Sequence, residues 1–159
     1  MASTGPTDPL QKNEVVVLPV ARIAAAVAFL LAPLPALAQA ETPAKGSPLR
    51  AAILDGLRPA VEAEVGAPVE FVVNEMRVIG EWAFVMVAPQ RPGGGAIAYA
   101  YTRYQSAFDA GAFDNQVTAL LRDTPSGWLV YEYNLGATDA IWVDWPGRYP
   151  APHEIFPMN

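Results

Sequence analysis

At Gly66 the spacing of the apolar residues changes, and that change restricts the fold more than any motif does. Before it, Leu49, Ile53, Leu54, Leu57, Val61 and Val65 recur at helical spacing. Ser47-Pro48 supplies an N-cap and a proline at the first helical position, and Gly66 a C-terminal stop. Pro59 lies inside the pattern, lacks an N–H and crowds the preceding turn, which predicts a kink or restart near Arg58. After Gly66 the period is two. Val69, Phe71 and Val73 fall on one face of a strand, whereas Val72, Met76 and Val78 fall on the other. The switch predicts a bulge near Asn74-Glu75.

Gly80 then makes a tight turn into residues 81–88, where both alternating sets are apolar: Trp82, Phe84 and Met86, against Ala83, Val85 and Val87. Such a strand needs cover on both faces. Pro89 ends it, and Pro92-Gly93-Gly94-Gly95 marks a loop. Residues 96–101 alternate through Ile97, Tyr99 and Tyr101 and predict a third strand. Residues 102–110 predict a short helix stopped by Gly111. Residues 116–122 and 128–135 predict a hairpin around the turn 123–127. Thr138 or Asp139 caps a last helical turn through Trp145, which Pro146 ends. The tail 147–159, with three prolines, predicts little regular structure.

The order predicts an α+β domain. An N-terminal helix packs on an antiparallel sheet of about five strands, with a short C-terminal helix. In element order this is similar to a cystatin-like or nuclear-transport-factor-like roll. Those folds host inhibitors, binding modules and enzymes, so the architecture assigns no activity.

The first forty residues concern address. Arg22 precedes an apolar run from Ile23 to Leu31, Pro33 and Pro35 break it, and small residues follow at Ala36, Ala38 and Ala40. This is the pattern of a secretory signal peptide. The competing reading is a membrane anchor. A helix over residues 23–34 spans only about 18 Å, against the ~30 Å of a bilayer core. Expected boundaries are a cleaved signal at 1–40, a linker at 41–46 and one domain at 47–159. Cleavage after Ala38 is the other option. The expected location is periplasmic or secreted, and the processed chain is not an integral membrane protein.

Cysteine is absent, so no disulfide can staple the domain. Of 16 acidic and 10 Lys or Arg residues, two of each precede Glu41; the remaining 14 and 8 leave the mature chain at −6. Its one lysine is Lys45. That balance excludes nucleic acid and anionic lipid as partners, since both need clustered cations.

Little in the chain points to chemistry. His153 is the only histidine and sits between Pro152 and Glu154 in the tail, away from any evident orienting partner. One His without Cys makes no metal-ligand spacing, so no metal or other cofactor is expected. The glycine run is followed by a predicted strand and no nearby lysine, so it is no phosphate loop. No serine has a G-x-S-x-G context. Glu62 and Glu64 are two apart on a helix and point to different sides; Glu132 with Asp144 stays open as a pair across elements.

Aromatic residues are the stronger signal. Trp142, Trp145 and Tyr149 follow i, i+3, i+7, and Tyr99 and Tyr101 alternate on the predicted third strand. Exposed, these five form a binding face for a sugar or a partner protein. Buried, the tryptophan stripe caps the sheet instead, and the large apolar area of each ring favours that alternative.

Beyond these readings the chain resembles a family of small, uncharacterised exported proteins of Gram-negative bacteria. The residues that carry the likeness are Ile53-Leu54-Asp55-Gly56-Leu57-Arg58-Pro59, Pro68-Val69-Glu70-Phe71-Val72-Val73 and Trp82-Ala83-Phe84-Val85. Further on are Ala119-Leu120-Leu121-Arg122, Gly127-Trp128, Thr138-Asp139, Trp142, Asp144-Trp145, Tyr149 and Ile155-Phe156. The resemblance implies a periplasmic location and no particular activity. The expected function is a non-catalytic module that binds an envelope protein or glycan. The alternative is a small pocket enzyme with an inward carboxylate such as Asp114 or Glu132.

Overall fold

The computed structural model describes residues 1, 2, 5 and 39–157. The chain divides into two compact units, Met1–Pro35 and Ala36–Asn159. The expected signal peptide lies almost wholly outside the described residues. Among those described, no helix is long and apolar enough to cross a membrane.

Among the described residues the first helix, α1, runs over Pro48–Val65 and is capped as its sequence requires. The Ser47 Oγ accepts from the Arg50 N–H at 3.3 Å. Gly66 closes the far end at φ 78°, donating to the Glu62 carbonyl at 2.8 Å. Of the kink or restart expected near Arg58, the restart does not occur: α1 is continuous through Pro59. Pro59 faces solvent, and its missing donor costs only the bond to the Asp55 carbonyl. The buried stripe Ile53, Leu57, Val61 and Val65 outweighs that loss, at roughly 1.5–3 kcal/mol per large side chain.

Four strands follow: β1 (Glu70–Ile79), β2 (Trp82–Gln90), β3 (Val117–Thr124) and β4 (Gly127–Leu135). They form one antiparallel meander in the order β1-β2-β3-β4. The expected bulge is present, with the β1–β2 register shifting between Val73 and Glu75. The extra residue reverses the alternation. Phe71, Val73, Met76 and Val78 therefore all face α1, although their spacing changes from odd to even. A second shift, between Leu120 and Leu121, does the same for Val130 and Tyr133 on β4.

Among the described residues the sheet has four strands, not the expected five. Residues 96–101 do not form a strand. Ile97 and Tyr99 are buried as their alternation implies, but β2 already has β1 on one edge and β3 on the other. The segment belongs to a long excursion between β2 and β3 that carries a short helix, α2 (Gln105–Asp109). The β3–β4 turn is also tighter than expected, since both strands continue to Thr124 and Gly127.

The sheet is covered on both faces, as the composition of β2 requires. On one side α1 packs chiefly against β4. On the other, Phe84, Trp82, Ile79 and Leu120 are covered by residues from the C-terminal segment: Trp145, Ala151, Ile155 and Phe156. That segment has a 3-10 turn at Ile141–Asp144, a one-turn helix α3 at Trp145–Arg148 and a 3-10 turn at His153–Ile155. Pro146 thus opens a helical turn where the sequence suggested an end, because proline is tolerated in a first turn. The tail is short on regular structure yet forms the second packing layer.

The expected linker also packs. Glu41 pairs with Val78 through two backbone bonds, 2.9 and 2.8 Å long, and Pro43 is buried.

Candidate functional site

The five aromatic residues singled out by the sequence do not share a face. Tyr99 is 3% exposed in the core beneath α1, and its hydroxyl donates to the Asn115 side chain. Trp145 is 2% exposed and lies on the opposite side of the sheet. Trp142 and Tyr149 are half-buried beside it. Phe84 sits among Trp142, Trp145 and Phe156, edge to face, at ring centroids of 5.8, 6.2 and 5.9 Å. The stripe therefore caps the sheet. It spans a 3-10 turn, α3 and the residue beyond, so the helical phase that would unite it is absent.

Tyr101 is different. It is 99% exposed and its backbone is left-handed, at φ 69°. A turn closes around it, the Thr102 N–H donating to the Tyr99 carbonyl at 3.2 Å. Its own N–H donates to the Gln105 side chain at 3.0 Å. Phe108 on α2 is also exposed and stacks on Tyr99 at 5.5 Å. The turn leaves the Tyr101 ring bare, next in the chain to an aromatic cluster of Tyr99, Phe108 and Phe113.

Neither carboxylate expected of a pocket enzyme is buried. Asp114 is exposed. Glu132 pairs with Arg148 at 3.2 Å and accepts from the Tyr149 hydroxyl. Arg148 also meets Asp144 at 3.5 Å, so Glu132 and Asp144 do converge, through a shared cation. His153 is exposed. Among the described residues, no three His, Cys, Asp or Glu side chains gather as a metal site would need.

Sequence reasoning missed Glu64. Its side chain, 17% exposed, accepts from the Tyr133 hydroxyl at 2.7 Å and the Tyr104 hydroxyl at 3.2 Å, and pairs with Arg103 at 2.9 Å. The cluster ties the end of α1 to β4 and to the excursion before α2. No local signal could have revealed it, because Tyr133 lies 69 residues away. Burial, then the bond to Glu64, pushes the Tyr133 phenol up to about 12. Burial does the same to Tyr99, also to about 12. Both folded values exceed the ~10 of an unfolded tyrosine, so their contribution is complete below pH 10 and is lost as pH rises toward 12. The denaturation midpoint is expected to fall across that window, and less steeply in Tyr133→Phe. A midpoint flat to pH 12 would contradict the cluster.

A groove of about 490 Å³ lies between the first turns of α1 and β1. Leu54, Phe71 and Val73 supply apolar walls, with Lys45 and Arg50 alongside. Its lining includes no carboxylate.

The arrangement defines a class: a small α+β domain whose antiparallel meander is packed on both faces, with its aromatics divided between core and loop tip. No family model matches the chain, and neither a curated protein nor a solved structure matches it.

Proposed function

We propose that this chain is an exported interaction module of the cell envelope, on a cystatin-like or nuclear-transport-factor-like roll, that binds a partner and performs no chemistry. The reading includes membership of the exported Gram-negative family that its motifs resemble. Tyr101 is the observation that carries it. A left-handed backbone costs a non-glycine residue about 1–2 kcal/mol, and full exposure of the ring forgoes its burial. Glycine would serve this turn without either cost. An exposed tyrosine on a turn closed by hydrogen bonds is the kind of residue that anchors an interface. The pocket-enzyme alternative has less support, since Asp114 is exposed and Glu132 is only half-buried and paired with Arg148.

Tyr101→Gly separates the two roles of the residue. The variant should be as stable as the parent or about 1 kcal/mol more stable. Partner affinity should fall by ~2 kcal/mol or more. A photo-cross-linker placed at position 101 should trap a discrete envelope species that excess parent protein competes away. Tyr101→Gly should not compete. Full competition by the variant would remove Tyr101 from the interface. The exported location has its own check: the mass of the protein from an osmotic-shock fraction should correspond to a start at Glu41 or Gln39. Recovery of the intact Met1 form in membranes would contradict it.

A further inference from the structure

β1 is an edge strand, and its outward backbone groups are satisfied at both ends but not between them. At the end of β1, Val78 pairs with Glu41. Just before its start, the Val69 N–H donates to the Glu62 carboxylate at 2.9 Å, and the Val69 carbonyl accepts from Arg58. Phe71 and Val73 lie between. Phe71 stands opposite Pro89, whose carbonyl accepts from the Asn115 side chain and so points away from β1. Phe71 and Pro89 are therefore a non-hydrogen-bonded pair, and the backbone groups of Phe71 point away from β2. Val73, two residues on, shares that direction. Among the described residues no hydrogen bond outside the β1–β2 ladder reaches either one. Both border the groove beside α1.

We propose that this groove takes an extended acidic segment of a partner protein, which adds to β1 as a fifth strand. Three observations support that occupant. The first is the unpaired stretch of edge, flanked by ends that the chain itself has closed. Glu41 already shows the geometry, an acidic extended residue bonded to this edge in antiparallel register. The second is the apolar wall of Leu54, Phe71 and Val73, which suits alternate side chains of an added strand. The third is charge. In a chain of net charge −6, the groove carries Lys45 and Arg50 and no acid. The nearby Asp55 is engaged by Arg58 at 3.2 Å. Glu70, next to Phe71 on β1, is exposed and alternates to the opposite sheet face; with screening over ~8 Å at physiological salt, Lys45 and Arg50 are the charges that line the groove itself. The proposal is independent of Tyr101.

The test titrates the full chain into a fluorescein-labelled heptapeptide of alternating valine and glutamate, read by anisotropy. Two further peptides carry lysine in place of glutamate, or N-methyl groups on alternate amides. The acidic peptide should bind saturably. The lysine peptide should bind at least ~10-fold more weakly and the N-methylated one not at all, since backbone bonds give the affinity in strand addition. Val73→Pro removes an outward N–H at an edge position that tolerates proline, and should weaken binding at least ~10-fold. Because that variant can also perturb the strand, Lys45→Glu with Arg50→Glu provides a second arm: it should reverse the preference between the two charged peptides. Tyr101→Gly should bind the acidic peptide like the parent. Absence of saturable binding, equal binding of the N-methylated peptide, or indifference to the charge reversal would each overturn the proposal. So would a concentration-dependent dimer that Val73→Pro abolishes and the acidic peptide does not displace, which would assign the edge to a second copy of the chain. None of these failures bears on the cross-linking at position 101.

Discussion

Trp145→Ala is expected to cost roughly 3–5 kcal/mol, the range for a large aromatic removed from a core. The ring is almost fully buried and meets Phe84, Phe156 and Tyr149 edge to face at 6.2, 6.3 and 6.3 Å. Aromatic pairs of this geometry add about 0.5–1.5 kcal/mol beyond the area they bury. The cavity left behind opens onto Phe84 of β2, and the short tail has little else to refill it. A domain of this size has only about 5–15 kcal/mol in total, so the variant should melt far earlier or fail to accumulate. Chemical denaturation read by the remaining tryptophans measures the loss as a lower midpoint at similar slope. An unchanged midpoint would mean that Trp145 is not a core residue, and would restore the stripe as a binding face.

Gly56→Ala is expected to destabilise the domain, although helix propensity predicts the reverse. In an open helix the change would gain up to about 1 kcal/mol. Here a Cβ at position 56 would stand 2.5 Å from the Trp128 carbonyl oxygen and 2.8 Å from its Cβ. Neither atom can swing aside, since both are fixed in β4. Helix and strand must separate, and overpacking of this kind costs typically 1–3 kcal/mol or more. The net result is a loss of ~1–2 kcal/mol or more, visible in the same denaturation experiment. A gain of about 1 kcal/mol would show that α1 rides higher above β4 than the structure has it.

Both residues belong to motifs that carry the family resemblance, and both illustrate how far sequence reasoning reached. The α1 stripe, its caps, the β1 bulge and the β3–β4 hairpin were legible, because each is a local pattern with a local cause. Residues 96–101 were misread for a physical reason. Alternation reported burial correctly for Ile97 and Tyr99 but not for Tyr101, and it does not report whether a neighbouring edge is free to pair. Pro146 was misread because one residue type serves both to end a helix and to open one. The fifth strand and the helical aromatic stripe failed together, since each assumed regular structure where the chain packs without it.

What the chain determined by itself was a requirement: β2, apolar on both sides, had to be covered twice, and α1 could cover only one side. Tertiary structure decided what met the other half of that requirement. The proline-rich tail, irregular by every local signal, supplies Trp145, Ile155 and Phe156 to the second layer. Tertiary packing likewise brought Glu64 to Tyr133 and left Phe71 and Val73 open on the β1 edge. Those outcomes depend on strand order and on which edge each segment reaches. Local spacing does not encode them, because they arise only when distant parts of the chain compete for the same surface.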